Sequence, residues 1–206
     1  MPPQRIAAAD VHHAFGRREV PARGVAEDAE RVARLCRDMA IRFHRGGKLL
    51  VFGTGGAGTD AAHIAVEFMH PVIVGKRALP ALALSNDAAT MSGVGARDGF
   101  SEIFAHQIRH FGGPADIAVG IAPDGRYAAV RQGLAAAAEL GLLTGALLGG
   151  EGCGLARETT LDHAIAVFES DPLVVKEVHV TLYHVLWELV HVFFERPTLL
   201  GPEVTA

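Results

Sequence analysis

The run Lys48-Leu49-Leu50-Val51-Phe52 feeds directly into Gly53-Thr54-Gly55-Gly56-Ala57-Gly58, and the residues that follow have the composition of a helix. A strand that enters a glycine turn and leaves as a helix is the unit of a parallel α/β sheet, and it opens a pocket at the carboxyl edge of that sheet. In the helix, His63 and Glu67 stand four residues apart, so at 3.6 residues per turn they project from one face. Function is expected here. Gly53, Gly55 and Gly58 also spell G-x-G-x-x-G, in which backbone N–H groups approach a pyrophosphate. That fingerprint needs an acidic residue about twenty positions on to bind ribose, and the stretch from Val72 to Arg77 offers only basic ones. A small-molecule pocket of another kind therefore ranks above nucleotide binding.

Four further apolar runs, Ala81 to Leu84, Asp116 to Ile121, Leu142 to Leu148 and Ala164 to Val167, alternate with helical stretches at Val25 to Phe43, Ser101 to Arg109 and Ala128 to Glu139. The alternation predicts a doubly wound parallel sheet whose strands are buried on both faces. A chain of 206 residues, half of them hydrophobic and a fifth charged, suits one domain and excludes a mainly disordered protein. Residues 1–24 read as an N-terminal extension and 25–196 as the domain. Residues 197–206, with two prolines and a glycine, read as an extended or disordered tail.

A net charge of -4 argues against a nucleic-acid or anionic-membrane surface. Cys36 and Cys153 have no metal or redox spacing, and the start lacks the apolar run of a signal peptide, so the expectation is a cytoplasmic protein with reduced thiols. The most hydrophobic segment, Leu173 to Phe194, is interrupted by Lys176, Glu177, His179, His184, Glu188 and His191, which is too much charge for a lipid-exposed span. It reads as a core helix. Its apolar surface, including Leu182, Tyr183, Leu186, Trp187, Leu189, Val190, Phe193 and Phe194, is more than a monomer of this size is expected to cover, which predicts a homo-oligomer.

The motif Gly53-x-Gly55-Gly56-x-x-x-Asp60-Ala61-x-His63-x-x-x-Glu67 is joined in order by Leu84-Ser85-Asn86-Asp87, by Gly99-Phe100-x-Glu102-x-Phe104-x-x-Gln107 and by Glu177-x-His179-x-x-x-x-His184. Together, over roughly Val25 to Glu195, they resemble the sugar isomerase (SIS) domain family, in the branch that contains phosphoheptose isomerase and the DnaA initiator-associating protein. The resemblance implies a five-stranded parallel sheet flanked by helices, a homotetramer with sites near subunit contacts, and a small sugar-like ligand. It implies ligand contacts at Gly53, Thr54, Gly55, Gly56, Asp87 and Gln107. It also implies zinc or another divalent metal on His63, Glu67 and His184, with Glu67 and His184 moving protons between C1 and C2 of the sugar. Such isomerisation needs a base alpha to a carbonyl, an acid to return the proton, and a cation or donor on the enediolate oxygen.

Two departures bear on the ligand. Where the family reads Ser-Thr-Ser-Gly-Asn-Ser after the third strand, and cradles phosphate with it, this chain reads Ala122-Pro123-Asp124-Gly125-Arg126-Tyr127. Only the tyrosine keeps a hydroxyl, Pro123 removes a backbone donor, and Asp124 would repel a phosphate by about 1 kcal/mol at 4 Å in water and by more when partly buried. Arg126 could offset this. Ala57 stands where the family has a phosphate-contacting serine. The family's fourth zinc ligand, a glutamine, aligns with Lys176, whose ammonium has no lone pair to give. Either three protein ligands and water hold the metal, or Lys176 replaces it beside Glu67, or Glu177 completes the site. The expected protein isomerises or binds a sugar-like ligand other than a standard sugar phosphate, with Arg126 and Lys176 among the contacts. The alternative is a non-catalytic oligomeric scaffold for regulation or assembly that binds a protein partner.

Each residue also has a plainer reading. His63 and Glu67 could be a surface pair worth a few tenths of a kcal/mol. Glu177, Thr181, His184, Glu188, His191 and Glu195 form one polar stripe that suits solvent as well as a cleft. Asp87 could cap a helix, and Cys153 reads as a packing residue.

Overall fold

The computed structural model describes residues 6–124, 128–150, 154–157 and 161–201. Along the chain run α1 (Ala8–Gly16), α2 (Glu19–Glu27), α3 (Ala29–His44), β1 (Leu49–Gly53), α4 (Gly56–Met69), β2 (Ala81–Ala83), α5 (Ala88–Asp98) and α6 (Ile103–Phe111). They are followed by β3 (Ile117–Ala122), α7 (Ala128–Glu139), β4 (Leu143–Gly149), β5 (His163–Val167) and α8 (Pro172–Glu195). The five strands form one sheet in the order β2-β1-β3-β4-β5, and every neighbouring pair is parallel.

Alternation of side chains along β1 divides the core. Leu49 and Val51 pack on the side of α3, α4 and α8, whereas Leu50 and Phe52 pack on the side of α6 and α7. All five residues of β1 are buried, as a strand covered on both faces requires. At the end of β4 the backbone comes close to its neighbours: a Cβ on Gly149 would meet Val175 of α8 and lie 2.5 Å from the Pro123 carbonyl. Glycine there lets α8 and the end of β3 close on the same sheet edge.

The N-terminal extension gains structure, and two expectations, for the tail and for the surface of the last helix, are corrected. Within the N-terminal extension and just beyond it, residues 8–27 form α1 and α2, which lack an apolar period because α1 buries no residue and α2 only Pro21. Polar contacts dock them: Arg17 pairs with Asp171 at 2.9 Å and Arg18 with Glu177 at 2.5 Å, both at the start of α8. The tail is not wholly extended, since Pro197–Leu200 makes a 3-10 turn with Leu200 buried, and Arg37 donates to the Leu200 carbonyl at 3.2 Å. The apolar surface of α8 is largely covered within the single chain, where Leu182, Tyr183, Leu186, Trp187 and Val190 join the core beside α3 and α4.

The polar stripe of α8 divides accordingly. Glu177, Thr181, Glu188 and Glu195 are exposed, while His191 is buried and bonded to the carbonyls of Trp187 and Arg77. Cys36 is buried and unpaired, and burial pushes its thiol up to about 12, so it is no nucleophile. Cys153 lies outside the described residues. No helix among them is long and apolar enough to cross a membrane.

Candidate functional site

β1 lies between β2 and β3, and the helices that follow β1 and β3 go to opposite faces of the sheet. Such a switch point leaves a crevice beyond the carboxyl ends of the two strands. Here it is a cleft of about 1000 Å³, walled by Thr54, Gly55, Gly56 and Ala57 after β1 and by Ala122, Pro123 and Asp124 after β3. Arg131 of α7 and Leu173 and Lys176 of α8 complete the wall. Gly55 has φ +57° and ψ -125°, a conformation that a side chain would strain. It turns the chain from β1 into α4 without a side-chain cap.

Lys176 is tied to this turn. Its ammonium donates to the Gly56 carbonyl at 3.0 Å and to the Thr59 hydroxyl at 3.3 Å, and it forms a close ion pair with Asp60. The Asp60 side chain is only 6% exposed, so the pair supplies the countercharge that a buried carboxylate needs. Lys176 makes no ion pair with Glu67, and Glu177 points away to Arg18.

About two turns further along the same seam, α4 and α8 bring together His63, Glu67 and His184. One ligand atom from each lies within 4.8 Å of the others. His63 Nε2 is 3.3 Å from Glu67 Oε1, and the two imidazole rings meet edge to face with centroids 5.1 Å apart. Donors tetrahedrally placed around one zinc lie about 3.3 Å apart, so small side-chain rotations would close the set on an ion. The tautomers also fit. His184 Nδ1 is 2.8 Å from the Val180 carbonyl, which can only accept, so Nδ1 carries the proton and Nε2 keeps its lone pair. The His63 side chain is 43% exposed and that of Glu67 13%, which leaves the cluster open on one side.

Tyr183 was not singled out as a site residue by the sequence, because it reads as one more large side chain on an apolar helix. Its hydroxyl lies 2.7 Å from His63 Nδ1. Burial, and then the charges of Asp60 and Glu67, push the phenol up to about 12, so it stays a neutral hydroxyl. Such a group can donate to Nδ1 while Nε2–H faces Glu67, or accept from Nδ1–H when Nε2 gives its lone pair away. Trp187 is a second such residue, its indole donating to the Glu67 carbonyl at 2.8 Å. A hydroxyl and an indole N–H on an otherwise apolar helix face were the available signals.

The other expected contacts are placed as follows. Thr54, Gly55, Gly56 and Lys176 line the cleft. Gly53 does not; its N–H and carbonyl both engage the Ser85 hydroxyl. Asp87 is exposed and caps α5, accepting from the N–H and hydroxyl of Thr90 at 3.0 and 2.6 Å, and those bonds hold its carboxyl below the usual range. Gln107 is buried, and its amide donates to the Leu84 and Ile103 carbonyls, bracing the turn after β2 against α6. Arg126 lies outside the described residues.

Below the Lys176 anchor, His179 is fully buried, with Nε2 3.0 Å from the Leu148 carbonyl and no hydrogen-bond partner on Nδ1 among the described residues. Burial holds it below its ordinary pKa.

A model of the SIS domain matches residues 17–149. A phosphoheptose isomerase of Solidesulfovibrio magneticus is 37% identical over 199 residues, covering 96% of this chain and 95% of that one. Another, from Thermodesulfovibrio yellowstonii, is 38% identical over 160 residues, covering 77% and 79%. Among solved structures, a phosphoheptose isomerase from Neisseria gonorrhoeae superposes with a TM-score of 0.80 at 27% identity, covering 87% of this chain and 96% of the other. One from Francisella tularensis gives 0.79 at 28%, covering 90% and 98%.

The geometry around His63 sets an expected outcome. Tyr183→Phe removes the oxygen that orients the imidazole, and loss of such an outer partner typically weakens metal binding by about 10-fold to 100-fold. Competition against a chromophoric zinc chelator measures it. Equal affinity in wild type and variant would show that His63 is not a ligand.

Proposed function

Because this chain belongs to the SIS domain family and is closely related to phosphoheptose isomerases, we propose that it is an aldose-ketose isomerase acting on a sugar derivative. The observation that carries this reading is the meeting of His63, Glu67 and His184 on two helices whose first turns wall the cleft. In this reading Glu67 takes the proton from the carbon alpha to the sugar carbonyl, and the C–H electron pair moves into an enediolate. Glu67, whose acquired proton exchanges with water at the open side of the cluster, then delivers a proton to the neighbouring carbon. His184 has one free lone pair, on Nε2, because its Nδ1–H is held by Val180. It hands a proton between the two oxygens where no metal takes that lone pair, and where His184 is a ligand the hydroxyl proton passes through water at the open side of the cluster. No atom is gained or lost, as isomerisation requires.

His63, Glu67 and His184 are the residues that would hold zinc or another divalent metal, and the ion would supply a positive charge to the developing enediolate oxygen. Lys176 is spoken for by Asp60, which favours three protein ligands over an ammonium replacing the metal. The ligand is expected to touch Thr54, Gly55 and Gly56, which line the cleft. Ala57 and the Ala122-Pro123-Asp124 segment offer that ligand no hydroxyl, which supports a substrate other than a standard sugar phosphate. A small sugar derivative and two cysteines without disulfide spacing suit the cytoplasm. The scaffold reading, with a protein partner and no catalysis, shares the fold but has no observation of its own.

The test is turnover. Zinc-loaded protein should interconvert an aldose and a ketose from a panel of sugar phosphates and sugar acids, and Glu67→Gln should lower the rate by at least about 100-fold, the usual worth of a general base. An active Glu67→Gln variant would contradict the assignment.

The assembly proposed is a homotetramer. Its support is no longer α8 but a set of exposed apolar side chains at the end of α4 and beyond, Val66, Met69, Val72, Ile73 and Val74, close in sequence to the open side of the His63 cluster. Light scattering at micromolar concentration should give four times the chain mass; a monomer would refute it.

A further inference from the structure

Two cations among the described residues line the cleft, Lys176 and Arg131. Lys176 is consumed by Asp60, Thr59 and the Gly56 carbonyl. Arg131 has neither a hydrogen bond nor an ion pair with any described residue, whereas Asp124 on the same wall is engaged. Arg131 is exposed, and its neighbours Ala129, Val130 and Leu134 are buried, so α7 is fixed to the sheet by its other face while the guanidinium stays in the cleft. The position is a poor one for a cation on helix grounds alone. It lies in the first turn of α7, where the helix dipole favours negative charge and an arginine without a carboxylate partner is unfavourable. An incoming anion removes that conflict.

Among the described residues, three positions of the cleft wall offer an anion little. Pro123 has no N–H, and Ala57 and Ala122 have no hydroxyl. A guanidinium offers five N–H donors in a planar fork that matches two oxygens of a phosphate or a carboxylate. We propose that Arg131 holds the anionic end of the ligand, a carboxylate or else a phosphomonoester gripped by the guanidinium instead of by hydroxyls, and so selects charged over neutral sugars at the cleft. The inference rests on the reading of the ligand as a sugar derivative, and it makes Arg131 a determinant of specificity; the proton transfers are left to Glu67 and His184.

Calorimetry of the zinc-loaded protein with three probes tests it: a heptose phosphate, the same heptose without phosphate, and a hexuronate. In wild type at low salt, at least one anionic probe should bind 10-fold or more tighter than the neutral heptose. Arg131→Ala should erase that advantage and Arg131→Lys should keep part of it, with the affinity for neutral heptose unchanged in all three proteins. Raising the salt should shrink the advantage, because an exposed charge pair is screened. The anion that gains identifies whether phosphate or carboxylate is the group recognised. An advantage that survives in Arg131→Ala, or the absence of any advantage in wild type, overturns the inference. An Arg131-dependent preference in a wild-type protein that isomerises no member of the wider panel of sugar phosphates and sugar acids would overturn the isomerase reading and leave this one standing.

Discussion

The ion pair between Asp60 and Lys176 is the contact on which the site depends. A carboxylate buried to this degree must be neutralised, and removing its partner typically costs about 3–5 kcal/mol. Asp60 sits on the face of α4 that packs inward, and the lysine that reaches it also bonds the Gly56 carbonyl. The pair therefore fixes the start of α8's second turn against the opening turns of α4. Both helices then run on from the same edge of the sheet at about 1.5 Å per residue. Seven residues from Asp60 reach Glu67, and eight from Lys176 reach His184, so a fastening at the cleft sets the register of the chemistry two turns away.

The division of labour follows from the topology. Recognition is assigned to loops and first turns at the switch point, where backbone and a few side chains converge on open space. Proton transfer is assigned to the helix seam, where packing restricts rotamers and each histidine has an outer partner. The two share α4, whose opening turn walls the cleft and whose next turns carry His63 and Glu67. A change in the ligand-facing loop, such as Pro123 and Asp124, can thus alter what is bound while leaving the groups that would act on it in place.

The sheet was legible because its strands are buried on both faces and read as continuous apolar runs; the expected strands differ from the observed ones by a residue or so at each end. His63 and Glu67 were legible because spacing of four on a helix is unambiguous. Their link to His184 came from the resemblance, since no local pattern says that α8 lies against α4. Tyr183 was hidden by its dual nature, an apolar ring that packs and a hydroxyl that bonds. Asp87 and Gln107 were marked as ligand contacts by likeness, yet their visible tasks are a helix cap and a brace between backbone carbonyls. Glu177 was weighed as a metal ligand because its spacing to His184 is helical, and Arg18, from a helix with no apolar signature, holds it elsewhere.

The central claim is that Glu67 carries a proton between adjacent carbons of a bound sugar. Proton NMR in deuterated water, following a sugar that the zinc-loaded protein isomerises, tests it most directly. The account predicts that solvent deuterium enters at C1 or C2 with wild type and at neither with Glu67→Gln. Isomerisation without any deuterium uptake, or uptake that persists in Glu67→Gln, would contradict it.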